Sequence, residues 1–193
     1  MLPWRFSGPG NKARTVRAYF LLYAPYGPDM ATPENTPRRW ADFLNPDDET
    51  LDRLRHAGRG ATSLAAVGTP WDTVGGRWEA LAIASLERGL AALDVLDLPL
   101  DAGHPVFADH ARSELIVLVP EGTAARAVDG GPQAVRALTA GTWLVVPHGP
   151  TGGYVAAWLS RPTRGGGRYV DPVRLCEAVL VAEALREEHA RAC

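Results

Sequence analysis

Four short runs fall in one stretch that opens at His104: Pro105-Val106-Phe107-Ala108, Leu115-Ile116-Val117-Leu118-Val119-Pro120, Thr142-Trp143-Leu144-Val145-Val146-Pro147 and Tyr154-Val155-Ala156-Ala157-Trp158-Leu159. Each is rich in β-branched and aromatic residues and is closed by Pro or Gly, the pattern of strands. Two of them read as buried on both faces. Gly149-Pro150-Thr151-Gly152-Gly153 separates the last two runs and suits a hairpin loop.

Working outward, 193 residues with 46% hydrophobic and 22% charged residues bound one ordinary globular domain with one sizeable core or two small ones. Lys12 is the one lysine among 20 basic residues, and the formal net charge of -2 argues against a markedly basic nucleic-acid binder. A local basic face is compatible with that balance. Cys176 and Cys193 imply no disulfide framework, which with a reducing compartment predicts a cytoplasmic protein. No run reaches transmembrane length, so no membrane partner is expected. The first residues, with Pro3, Trp4 and Gly8-Pro9-Gly10, lack the basic-then-apolar shape of a signal peptide.

Residues 1–44 read as an N-terminal arm and a Pro-rich variable segment, and 45–193 as the domain proper. Lys12 to Ala24 reads as a helix passing into a strand, and Pro25 to Pro46 as a loop with a helical turn around Trp40 to Leu44. Asn45-Pro46-Asp47-Asp48 opens a short helix, Glu49 to His56, with acids facing the positive end of its dipole. Ala61 to Val67 and Trp71 to Val74 read as strands. Trp78, Leu81, Ala82, Leu86, Leu90 and Leu93 predict one face of a long amphipathic helix, with Glu79, Glu87, Arg88 and Asp94 off that face. Asp171-Pro172 caps a final helix, Asp at N-cap and Pro at the first helical position. The fold class is therefore α+β, a largely antiparallel sheet with helices packed on one face.

Several segments in this order carry a family resemblance. They are Asp48-Glu49-Thr50-Leu51, Val67-Gly68-Thr69-Pro70-Trp71-Asp72-Thr73-Val74, Pro105 to Asp109 with Leu115 to Ala124, and Gly141 to Pro147. Together they resemble the N-terminal domain of actinobacterial bifunctional DNA primase/polymerases, in the archaeo-eukaryotic primase superfamily, and especially its short stand-alone members. The resemblance covers roughly Asn45 to the C-terminus. It implies a primase/polymerase-like sheet of the RNA-recognition type, on which carboxylates hold two Mg²⁺ or Mn²⁺ ions that align a 3′-hydroxyl and a nucleoside triphosphate.

The family's motifs are degenerate here. Its paired metal-binding aspartates fall on Gly75 and Arg77, with Asp72 at an upstream acidic position. Its phosphate-contacting His falls at or beside Glu114, within Arg112-Ser113-Glu114-Leu115. Its third acid is missing from Arg136-Ala137-Leu138-Thr139-Ala140-Gly141. An Arg cannot ligate Mg²⁺, and a carboxylate beside a triphosphate repels it unless a metal intervenes. The resemblance therefore argues for the fold and against the activity.

The first reading is a vestigial, non-catalytic primase/polymerase-like domain that needs no cofactor and binds single-stranded nucleic acid, a nucleotide or a protein partner. Arg77, Arg112, Arg136 and His148 are its candidate nucleotide or nucleic-acid contacts, with Arg126, Arg161, Arg164 and Arg168 as further phosphate contacts and Trp71 or Trp143 as stacking platforms. The second reading is a diverged metal-dependent nucleotidyltransferase in which Asp72 and Glu114 meet across adjacent strands and rebuild a Mg²⁺ or Mn²⁺ site. The third is a structural module that forms a homodimer through its sheet face and through Val179, Leu180 and Leu185 of the final helix. His104 and His110 bracket a strand without the spacing of a zinc site, and Ser113, Ser160 and Cys176 have no sequence-evident base partner.

Overall fold

The computed structural model describes residues 39–45, 62–149, 151–153, 155–163 and 168–192. The helix expected over Glu49 to His56 and the helix-to-strand segment from Lys12 to Ala24 lie outside them. After a 3-10 turn, Trp40–Leu44, come strands β1 (Thr62–Ala66), β2 (Pro70–Trp71) and β3 (Gly76–Ala84), then helix α1 (Leu86–Val95). Strands β4 (Val106–Asp109) and β5 (Glu114–Pro120) follow, then α2 (Ala124–Val128), β6 (Val135–Leu138), β7 (Trp143–Pro147), β8 (Ala156–Ser160) and α3 (Pro172–Ala192).

The main sheet runs β2-β3-β5-β4-β8, with β6 also paired to β3, and a separate two-stranded ribbon joins β1 to β7. Every strand pair is antiparallel. The protein is thus α+β with a largely antiparallel sheet, as its composition of short strands and few helices predicts.

β3 corrects the sequence-based helix. Residues 78 to 84 form the strand at the middle of the sheet, and only Leu86 to Val95 is helical. Leu81 and Ile83 point into a core shared with the helices, whereas Trp78, Ala80 and Ala82 point into a second core on the other face. A strand buried on both faces loses its polar alternation, so its apolar run mimics a helical stripe. Glu79, expected on the solvent side, is buried and accepts the Ala124 N–H at 2.9 Å, where α2 begins. The expected strand Trp71 to Val74 is likewise shorter: β2 ends at Trp71, and residues 72 to 75 turn the chain into β3, with Val74 and Gly75 N–H donating to Trp71 C=O at 3.0 Å.

The helices pack on one face. Leu90 and Leu93 of α1 and Leu175 and Val179 of α3 meet Leu81, Ile83, Leu115, Val117 and Leu159 there, each such side chain contributing about 1.5–3 kcal/mol by leaving water. Trp40 and Phe43, on the N-terminal side of residue 45, are buried in the same core. Asp94 carboxylate oxygens accept the Trp40 and Ala41 N–H groups at 2.7 and 3.0 Å. The opposite face is covered as well: Leu144 and Val146 of the ribbon pack over Phe107, Ile116, Leu118 and Trp158.

The glycine loop is not a hairpin, because β7 pairs with β1 while β8 pairs with β4. Its described residues fold back on β8 instead. Gly153 N–H donates to Ala156 C=O at 2.8 Å and Trp158 N–H to Thr151 C=O at 3.0 Å. Gly152 has φ +84, and a Cβ there would lie 2.4 Å from Ala156 C=O, so only glycine fits. The final helix begins as its sequence predicts, with Asp171 Oδ1 accepting the N–H groups of Val173 and Arg174 at 2.9 and 3.0 Å.

Candidate functional site

The sheet register separates the two carboxylates on which a metal site would depend. In the β3–β5 ladder Trp78 lies opposite Pro120 and Ala84 opposite Glu114. Asp72, exposed in the turn before β3, is therefore beyond the Pro120 end, and Glu114 stands at the other end. A strand rises about 3.3 Å per residue, so the two are on the order of 20 Å apart or more. The meeting of Asp72 and Glu114 across adjacent strands does not occur.

Glu114 has a different neighbour. β6 pairs with β3 so that Arg136 lies opposite Ala82, two residues before the partner of Glu114, and same-face side chains recur every second residue. Arg136 Nη2 donates to both Glu114 carboxylate oxygens at 2.8 Å. Glu114 is buried and Arg136 covers it from the solvent side. Asp109, directly opposite Glu114 on β4, is the second buried carboxylate at this end. Asp109 Oδ1 accepts the Arg112 N–H at 3.1 Å and Oδ2 accepts Arg112 Nη1 at 2.8 Å, which closes the four-residue turn between β4 and β5. The hydrogen bond and charge of Asp109 hold the Arg112 guanidinium above its ordinary pKa. Ser113 sits in that turn at φ 55, and its C=O accepts the Leu86 N–H at 2.7 Å, tying the turn to the start of α1.

The remaining candidate cations are elsewhere. Arg77, exposed at the other end of β3, donates to Gly68 C=O at 2.8 Å and lies 3.6 Å from Glu121. Arg126 follows on α2, where its Nε donates to Gly122 C=O at 3.3 Å. Of Arg112, Arg126 and Arg136, the structure brings together only the first and last, each on a carboxylate. His148 follows β7, with Nδ1 3.1 Å from Ser63 Oγ on β1. His104 Nδ1 contacts Arg168 C=O at 2.6 Å.

The aromatic candidates divide. Trp71 stacks on Trp158 with ring centres 5.7 Å apart and tilts against Trp78 at 5.5 Å, so it belongs to the second core. Trp143 is 67% exposed on the ribbon, beside the partnered residues Leu64 and Val145.

Among the described residues, no three of His, Cys, Asp and Glu gather where they could hold a metal ion. A cleft of about 560 Å³ lies where α1, α3 and residues 131 to 134 converge, but its carboxylate, Glu183, is bound to Arg88 Nε at 2.8 Å. Burial, helped by Glu177, pushes the Cys176 thiol up, which keeps it protonated and a poor nucleophile. Burial lowers the His110 imidazole to about 4 against the opposing pull of Asp109. This ring is neutral at physiological pH. The unfolded chain takes up that proton near pH 6.5 and the folded one only near 4, so stability should fall as pH drops through this window, by up to about 3 kcal/mol. Urea midpoints of wild type and His110→Gln at pH 7 and pH 4 check this: the wild type should lose more stability on acidification, and parallel losses would contradict it.

No family model, curated protein or solved structure matches this chain. Among the described residues no helix is long and apolar enough to cross a membrane.

Two features escaped the sequence. Asp109 was assigned no role from the sequence, and its burial shows only once β4 is paired on both sides. The exposed side of α3 was represented by Leu180 and Leu185 alone, although Val173 stands seven residues before Leu180, two helical turns away on the same side. Val179, grouped with them as an interface residue, is fully buried in the first core.

Proposed function

We propose that this domain is a non-catalytic member of the primase/polymerase-like type that works by contacting a protein partner. The observation that carries this reading is the state of the carboxylates. Glu114 and Asp109 each hold an arginine at 2.8 Å, and Asp72 is at the far end of β3. Two-metal nucleotidyl transfer needs carboxylates converging on one pair of cations, with oxygens free to bind them. The charge pattern points the same way. Arg112 and Arg136 are neutralised locally and the formal net charge is -2, which leaves little for a phosphate backbone to bind.

The strands' second face supports the same conclusion. Phe107, Ile116, Leu118 and Trp158 are buried beneath the ribbon rather than open to a template. The test is extension of a labelled primer on a DNA template with deoxynucleotides and Mg²⁺ or Mn²⁺, with fluorescence anisotropy of single-stranded oligonucleotides at low salt alongside. The expected result is no extended product and no salt-sensitive binding. Product that Asp72→Ala or Glu114→Gln abolishes would overturn the reading in favour of a metal-dependent primase/polymerase. Salt-sensitive binding without product would move the partner from protein to nucleic acid.

A further inference from the structure

α3 carries two apolar faces where one is needed. Leu175, Cys176, Ala178, Val179 and Ala182 are buried against the domain. At 100° per residue, Val173, Glu177, Leu180, Val181, Ala184 and Glu188 lie on the opposite side. Val173, Leu180, Val181 and Leu185 expose 51%, 49%, 46% and 54% of their surfaces, and no described residue after Ala182 is buried. A helix packed by one face ordinarily presents charge on the other. This one presents aliphatic groups interrupted by Glu177, with Arg174 near its start and Glu187 and Glu188 near its end.

We infer that the outer face of α3 pairs antiparallel with the same helix of a second copy, making the protein a two-fold homodimer. The charges decide both partner and direction. With Val181 of each copy on the axis, Arg174 of one comes beside Glu188 of the other, and the contact occurs twice. A parallel pair would set Arg174 on Arg174 and Glu188 on Glu188. The small Ala184 lies on the same face one turn from Val181, which lets the helices approach closely. Glu177 then lies across from Leu185 of the other copy, and Glu187 is already held by Arg191 of its own helix at 3.0 Å. Antiparallel alignment also opposes the helix dipoles favourably, and a two-fold self-pairing is the commonest closed assembly. This inference rests on the proposed role in partner contact and names the partner.

Sedimentation equilibrium and disulfide trapping test it on the full chain. Wild type should be a concentration-dependent dimer, and Val181→Asp a monomer with an unchanged melting temperature, since Val181 contributes to no core. Arg174→Glu should weaken the dimer by roughly three- to ten-fold from two lost exposed ion pairs, and Arg174→Glu with Glu188→Arg should restore it. In a Cys193→Ser background, mixing Arg174→Cys with Glu188→Cys should give an oxidised heterodimer. Oxidised homodimers of Arg174→Cys alone would indicate a parallel pair and overturn the inference, as would a wild-type monomer at every concentration or a Val181→Asp dimer. A monomer that also fails to extend primers would sink the dimer alone. Extension would sink the proposed function whatever the oligomeric state.

Discussion

Replacing Trp158 with Ala should lower the unfolding free energy by about 3–5 kcal/mol, one of the largest losses a single substitution can cause here. Trp158 is fully buried on β8, stacked on Trp71 at 27° and met edge-on by Phe107 at 5.4 Å. Its indole N–H has no hydrogen-bond partner among the described residues, so the loss is one of packing and aromatic contact, the latter worth about 0.5–1.5 kcal/mol per pair. Trp143→Ala, on the exposed ribbon, should stay within about 0.5 kcal/mol. Urea unfolding followed by far-ultraviolet circular dichroism compares the two. Similar costs for both would mean that the aromatic cluster is not the core of the sheet's second face.

Gly89→Ala should also destabilise, against the usual direction. In a helix interior the change ordinarily gains about 1 kcal/mol. Here α1 lies so close to β5 that an added Cβ would stand 2.5 Å from Leu115 Cβ and 2.6 Å from Leu115 Cδ2. Leu115 is fully buried and its Cβ is fixed to the strand, so relief requires the helix to move, at about 1–3 kcal/mol. A lower urea midpoint is the expected result. A higher one would mean that α1 rides further from the sheet than the structure places it.

The strands legible in the sequence were those bounded by turn residues. Val106 to Asp109, Glu114 to Pro120 and Trp143 to Pro147 all end at a turn or at Pro, and each forms within a residue or two of its expected limits. The final helix was legible because Asp171-Pro172 fixes its start by local chemistry. β3 was not, since its two faces enter two different cores and the alternation that marks a strand disappears. The glycine loop misled for a related reason: a five-residue Gly-rich link permits a hairpin but does not require one, and the pairings of β7 with β1 and of β8 with β4 are set by distant residues. The candidate site was legible residue by residue and not as a geometry. Nothing local says that Asp72 and Glu114 occupy opposite ends of one ladder, or that Arg136 arrives from β6 to hold Glu114.

The central claim is that the carboxylates of this sheet no longer form a metal and triphosphate site. Its most direct test is a calorimetric titration of Mn²⁺ and Mg²⁺ in the presence of a nucleoside triphosphate, on wild type, Asp72→Ala and Glu114→Gln. No heat of binding attributable to the protein in any of the three is the predicted result. Metal-dependent triphosphate binding by wild type that either substitution abolishes would contradict the account.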